Sequence, residues 1–224
     1  MSGTAVPVIA IDGPSASGKG TVAAAVAHAL GFHYLDSGAL YRIVGLVASE
    51  RGANLDDDRE ISRISLNLNI KFNSEQVLID NRDVSDLIRG VASGAAASRV
   101  AALPGVRTAL MSLQRSFRQP PGLVADGRDM GSVVFPDARL KIYLTATAEE
   151  RARRRHKQLI GKGLGASMAT LLQDIRDRDL RDSTRATAPL QKCADAVEID
   201  TTGIPVNVVV QQILHLYRIC SSQQ

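Results

Sequence analysis

Residues 13–21 read Gly-Pro-Ser-Ala-Ser-Gly-Lys-Gly-Thr. This is a Gly-x-x-x-x-Gly-Lys spacing with a hydroxyl residue close behind. The apolar run Pro7 to Ile11 leads into it and the alanine-rich run Val22 to Leu30 leads out. Strand, loop and helix in that order are the setting in which the spacing binds phosphate. Glycines let the backbone turn tightly, so that several N–H groups aim at one anion. The helix that starts near Lys19 adds the positive end of its dipole. All of Gly13, Pro14, Ser15, Ala16, Ser17, Gly18, Lys19, Gly20 and Thr21 are therefore candidates for holding a nucleoside triphosphate. Lys19 supplies a full charge for the outer phosphates, and Thr21 or Ser17 offers a hydroxyl towards Mg2+.

A competing pattern is excluded by distance along the chain. Gly18-x-Gly20-x-x-Ala23 also fits a dinucleotide fingerprint, with Asp36 further on. That fingerprint begins directly after its strand, whereas here the loop from Asp12 to Ser17 intervenes. Position 20 is Gly rather than Ser or Thr, and the hydroxyl comes one place later. Gly-Lys-Gly-Thr resembles the loop of nucleoside monophosphate kinases more than that of GTPase switches.

A chain of 224 residues is enough for one domain with a buried core. No apolar stretch approaches the roughly 20 residues that span a bilayer. Met1 to Val6 has neither a basic flank nor an apolar core, so no secretory signal is expected. Cys193 and Cys220 are far apart and make no metal spacing. A cytoplasmic protein with no membrane contact follows as the expectation. Of the 27 basic residues, 21 are Arg, although the net charge is only +4. Arginine suits bidentate binding of phosphate. No basic tail or interleaving of basic and aromatic residues suggests nucleic acid.

Along the chain, Phe32 to Leu35 reads as a strand, Asp36-Ser37-Gly38 as a polar turn, and the segment to about Glu50 as a helix. The repeat of strand, turn and helix argues an α/β fold with a largely parallel sheet. Ligands bind such sheets at the carboxyl ends of the strands, which places Asp36, Ser37 and Arg42 beside the phosphate loop. Asp36 or Ser37 could equally cap a helix. Asp56 to Asp58 starts a polar helix. Asn69 to Phe72 and Gln76 to Asp80 are short strands around a turn at Asn73-Ser74, followed by an extended piece, Arg82 to Val84. Val91 to Ala102 and Val106 to Phe117 are helices separated by Pro104-Gly105. Leu123 to Asp126 is a buried strand that ends on an acid. Asp126 can hold Mg2+ there, and Arg128 suits a phosphate. Strands at Leu140 to Leu144 and Ala196 to Ile199, and a closing helix at Val206 to Tyr217, complete the core.

Two charged helices stand apart. The first carries Arg151, Arg153, Arg154 and Arg155. The second runs from about Ser167 to Ser183. In Asp174 to Arg185, eight of twelve residues are charged. Arg178, Asp182 and Arg185 fall at i, i+4 and i+7 and so share one face. Glycines at 161, 163 and 165 join the two helices, the pattern of a mobile lid. Phosphoryl transfer from ATP to a hydroxyl needs a base, and the loop edges offer no single clear one. An acceptor that is already an anion needs positive charge instead, which Arg42, Arg128, Arg178 and Arg185 can supply; Lys19, Arg128, Arg178 and Arg185 are the candidates for the catalytic charges. The Asn-Lys-x-Asp signature of guanine-binding switches is absent.

Four segments together resemble the bacterial cytidylate kinase family. They are Ile11-Asp12-Gly13-Pro14 with Gly18-Lys19-Gly20-Thr21, Leu35-Asp36-Ser37-Gly38 with Tyr41-Arg42, Asp126 to Pro136, and Arg178 to Arg185 running into Ala188-Pro189-Leu190. The resemblance implies a single P-loop NTPase domain over 1–224. Three layers would surround a mostly parallel sheet, with a β-rich CMP-binding insert near 66–102 and a helical lid near 151–186. It implies an ATP- and Mg2+-dependent kinase that makes the diphosphates of CMP and dCMP, and a monomer is expected. By position, Ser98, Arg107 and Asp182 match residues that recognise cytosine. Arg42, Arg128 and Arg185 match residues around the CMP phosphate, and Asp129 matches one near the sugar. Ser37 belongs to the same set. Many relatives have Gly where this chain has Ala16.

Overall fold

The computed structural model describes residues 5–72, 76–88, 90–161 and 163–222. The expected turn at Asn73-Ser74 lies outside them. In chain order the elements are β1 (Val8–Asp12), α1 (Lys19–Leu30), β2 (His33–Asp36), α2 (Ser37–Glu50) and α3 (Asp58–Leu66). There follow β3 (Ile70–Phe72), β4 (Val77–Ile79), β5 (Arg82–Asp83), α4 (Ser85–Ile88), α5 (Val91–Val100) and α6 (Pro104–Ser116). Then come β6 (Leu123–Gly127), a π-helical turn (Met130–Val134), β7 (Leu140–Thr145), α7 (Ala148–Ile160), α8 (Met168–Thr184), β8 (Val197–Asp200) and α9 (Val206–Ser222). The chain divides into two compact units, Met1–Asp36 with Arg115–Gln224, and Ser37–Gln114.

The first unit is built on a parallel sheet of order β2-β6-β1-β7-β8. All five residues of β1 are buried, which is why Val8 to Ile11 read as a continuous apolar run rather than an alternating one. The chain leaves central β1 towards β2, returns to β6 beside β1, and crosses to β7 on the other side. The carboxyl end of β1 is thus the switch point where such sheets bind ligands. Val22, Ala23, Val26 and Ala27 of α1 join Val209, Val210, Ile213 and Leu214 of α9 against Ile9, Ile11, Val124, Ile142 and Leu144. Phe32 meets Tyr217 edge to face at 5.7 Å. Helices α7 and α8 have a smaller core of their own, Ala152, Leu159, Leu171 and Ile175.

The second unit packs α2 against α5 and carries the antiparallel sheet β3-β4-β5. Asp57 caps α3 by accepting from the Glu60 N–H at 3.0 Å.

Three expectations need correction, and one element was not foreseen. Asp36-Ser37-Gly38 is not a turn, because α2 starts at Ser37 directly after the strand. Pro104 and Gly105 do not separate two helices but open α6, Pro104 being its first residue. Proline is at home there, since the first N–H groups of a helix have no partner within it. Arg185 is not on the face of α8, because the helix ends at Thr184 and Arg185 is extended. Residues 130–134, with two β-branched valines, form a π-helical turn that no periodicity announced.

Candidate active site

The phosphate loop is held from outside by its carbonyls. Lys19 Nζ donates to Pro14 O at 3.2 Å. Arg151 Nη1 donates to Ser15 O at 3.3 Å. Arg154 Nη1 and Thr201 Oγ1 donate to Ser17 O at 3.0 and 3.1 Å. Among the described residues, nothing accepts from the backbone N–H groups of Ser15, Ala16, Ser17 or Gly18, and the buried hydroxyls of Ser15 and Ser17 have no partner. Buried polar groups are rarely left so, and donors gathered on one loop suit an anion. Gly13 cannot be another residue, because a Cβ there would run into the Leu144 carbonyl. Ala16 adopts φ 58°, the left-handed conformation that glycine favours.

Beyond the loop, three acidic residues mark strand ends. Asp126, on β6, is buried beside Asp36, its register partner on β2. Tyr34 Oη donates to Asp126 Oδ1 at 2.8 Å. Burial, with the charge of Asp36, pushes the Asp126 carboxyl up, and Lys19, the Tyr34 hydrogen bond and Arg128 oppose that. Burial, with the charge of Arg128, pushes the Lys19 ammonium down. A negative ligand in the loop would favour the charged form of Lys19. The loop and the end of β6 carry oxygen donors of the kind an Mg2+ ion takes. Ser17 supplies a buried oxygen with no partner, Asp126 a buried carboxylate, and Thr21 an exposed hydroxyl in the first turn of α1. The third acid is Asp12, the last residue of β1, which accepts from Met130 N and Gly131 N at 2.8 Å each.

Arginines and acids gather after β6. Arg128 Nε donates to Asp182 Oδ2 at 2.7 Å. Burial works against the Asp182 carboxylate, but Arg128, Arg178 and Arg185 together hold it below its ordinary range. Arg185 Nη2 lies 3.9 Å from Asp129 Oδ1, and its Nε donates to Ala188 O at 2.7 Å. The extended Arg185 thus still joins the cluster that a continuous helix was expected to form. Arg128, Asp129, Arg178, Asp182 and Arg185 all belong to the first unit.

Four expected residues belong to the second unit. Ser98 is buried on α5 and its hydroxyl has no partner among the described residues. Arg107 is buried on α6, donates to Ala101 O at 3.1 Å and lies 5.5 Å from the Tyr41 ring centroid. Arg42 Nη1 donates to Ile88 O at 2.9 Å. Ser37 is buried in the first turn of α2.

The family model described as cytidylate kinase matches residues 9–219. The chain belongs to the cytidylate kinase family. A cytidylate kinase of Nitrosomonas europaea is 56% identical over 212 residues, 95% of each chain. One of Chromobacterium violaceum is 56% identical over 95% of this chain and 96% of its own. Among solved structures, a gluconokinase from Sinorhizobium meliloti 1021 covers 97% of this chain and 95% of its own, with a TM-score of 0.51 and 16% identity. That likeness shows a common fold. The expected family and α/β fold with a small antiparallel insert are therefore found.

Sequence reasoning assigned no role to Asp12, Tyr34, Arg151, Arg154 or Thr201. Asp12 carried a signal, an acid closing an apolar strand, as Asp126 did. Arg151 and Arg154 were visible only as members of a charged cluster. Nothing in the sequence distinguishes Arg151, which is buried, from Arg153, whose side chain is 69% exposed and pairs with Glu150.

Proposed function

We propose that this chain is a cytidylate kinase that transfers the γ-phosphoryl group of ATP to CMP or dCMP, giving ADP and CDP or dCDP. Family membership names the activity. The observation that carries the acceptor is the cluster of the half-buried Arg128, Arg178 and Arg185 around the buried Asp182 and Asp129. Such a cluster suits an acceptor that brings its own negative charge and needs no general base. In this reading residues 13–21 bind the triphosphate, with Lys19 on its outer phosphates. Mg2+ carried with ATP neutralises phosphate charge, and Ser17, Thr21 and Asp126 are the residues that would hold it. Lys19, Arg128, Arg178 and Arg185 stabilise charge on the group in flight, where removing one preorganised donor costs about 10²–10³ in kcat. Transfer is direct and in line, which needs positioning rather than covalent help.

For the acceptor, Arg42, Arg128 and Arg185 take the CMP phosphate, Ser37 and Asp129 assist, and Ser98, Arg107 and Asp182 take the base. Cytosine offers an exocyclic amine that a carboxylate accepts, and a ring nitrogen and carbonyl that suit Arg and Ser. The 66–102 region serves as the CMP-binding insert and 151–186 as the lid. The enzyme is taken as a cytoplasmic monomer acting on free nucleotides.

The test is ADP release with ATP and Mg2+ across CMP, dCMP, UMP, AMP, GMP and shikimate. Strong turnover with CMP and dCMP, and little with the others, is the expected outcome. Preference for another acceptor would retain the phosphate loop and discard the cytosine site.

A further inference from the structure

The π-helical turn after β6 is not held by its own sequence. Gly131 and two valines are weak helix formers, and π geometry is uncommon outside functional sites. Its internal bonds run from Val133 N and Val134 N to Asp129 O, and from Phe135 N to Met130 O. That leaves the N–H groups of Met130 and Gly131 at the start, which a helix cannot satisfy internally. Both donate to one carboxylate, Asp12 Oδ1 and Oδ2, at 2.8 Å each. Asp12 is itself fixed in the sheet, paired with Gly127 on one side and Tyr143 on the other. The turn is also close-packed, since a Cβ on Gly131 would lie 3.1 Å from Lys141 Cδ and 3.5 Å from Asp12 Oδ2. The residues just before the turn are Arg128 and Asp129, and the residue just after Asp12 is Gly13.

We propose that Asp12 is a positioning residue for the acceptor: by holding the start of the 130–134 turn it sets where Arg128 and Asp129 leave the sheet. The same residue anchors the phosphate loop at Gly13, so a single side chain ties the acceptor loop to the strand that feeds the triphosphate loop. The inference rests on the reading that Arg128 and Asp129 bind CMP. Negative charge at the start of a helical turn is favourable. Asp129 and Arg128 are charged groups close enough to act on Asp12, and the titratable Cys193 thiol also feels its charge.

Asp12→Asn turns one accepting oxygen into an N–H donor aimed at a backbone N–H. Its KM for CMP is expected to rise roughly tenfold or more, as small misplacements near reacting groups do, with KM for ATP within about twofold of the parent. Gly131→Ala presses on the same turn from the Lys141 side, is the second variant should Asp12→Asn not fold, and is expected to show the same split. Ile213→Ala in α9, a core truncation away from both loops, serves as the stability control: it lowers Tm and leaves both KM values unchanged. If the loop variants behave like Ile213→Ala, or raise both KM values equally, the positioning role is overturned. Arg128→Ala, assayed in parallel, tests the underlying reading separately. If it leaves KM for CMP unchanged, that reading fails whatever the Asp12 variants do.

Discussion

Two carboxylates on α8 stand three residues apart and hold arginines from two different segments of the chain. Asp179 takes Arg151 in a two-pronged pair at 2.9 and 2.6 Å, and Arg151 also donates to Ser15 O of the phosphate loop. Asp182 takes Arg128, which follows the strand end at Asp126. The Asp182 side chain is 8% exposed and that of Asp179 is 28%. One carboxylate of the helix thus steadies the phosphate loop through Arg151, and the other holds the segment that follows β6 directly. The lesson is that guanidinium groups in one charged region divide between two tasks. Arg151 and Arg154 each donate to a carbonyl of the phosphate loop while pairing with a carboxylate of the helices. Arg128 and Arg185 lie instead against Asp182 and Asp129.

The largest expected effect separates the two carboxylates. Asp182→Ala removes a charged partner, worth about 1.5–3 kcal/mol for a hydrogen bond to an ionised group, so KM for CMP should rise on the order of 100-fold. KM for ATP should change little. If both nucleotides were used normally, Asp182 would not read cytosine, and the contrast with Asp179 would collapse.

Acid–base behaviour sharpens the comparison next. Asp182 is held below its ordinary range, so its contribution is present above the unfolded pKa and is lost as pH falls through the folded value. Asp12 has the opposite sign: burial lifts its carboxyl from 3.8 to about 6. Between those values the native protein keeps a proton that the unfolded chain has released. Stability contributed by Asp12 is therefore full below pH 3.8 and is lost as pH rises through about 6, by roughly 2–3 kcal/mol. Denaturation of Asp12→Asn between pH 4 and 6 should show a correspondingly smaller loss with rising pH than the parent. An unchanged slope would mean that Asp12 does not titrate there.

Asp179→Asn comes third. It weakens the grip on Arg151, so the carbonyl of Ser15 is less well held and KM for ATP should rise roughly fivefold to tenfold, with KM for CMP nearly constant. The mirror image of Asp182→Ala is the signature to look for, and a CMP-selective effect would erase the division of labour. The smallest effect belongs to Ala16→Gly. At φ 58° a Cβ costs about 1 kcal/mol. Glycine should raise Tm by about 2 °C and leave both KM values within about twofold. A fall in Tm would show that the unfolded-chain entropy of glycine outweighs the relief.

Much of this was legible from residues alone. The Gly13 to Thr21 spacing, its flanking strand and helix, and the acid at the end of Leu123 to Asp126 specified an α/β core and its phosphate end. Local chemistry decides such features: tight turns need glycine, and buried parallel strands need unbroken apolar runs. The Asp126 to Pro136 stretch and the Arg178 to Arg185 run pointed to the family by likeness. The pairings were not legible. Arg151 to Asp179, Arg128 to Asp182 and Asp12 to Met130 join residues 28, 54 and 118 positions apart. Period and propensity act over one or two turns of chain, so they could show that arginines cluster but not which of them is buried. The π-helical turn has the same origin. Its valines favour extended backbone, and it holds because a carboxylate from another strand satisfies its first two N–H groups. Sequence by itself determined which groups this chain has for handling phosphate. Tertiary structure decided which of them are buried and which partner each one takes, because that choice is made by contacts between segments distant in the chain.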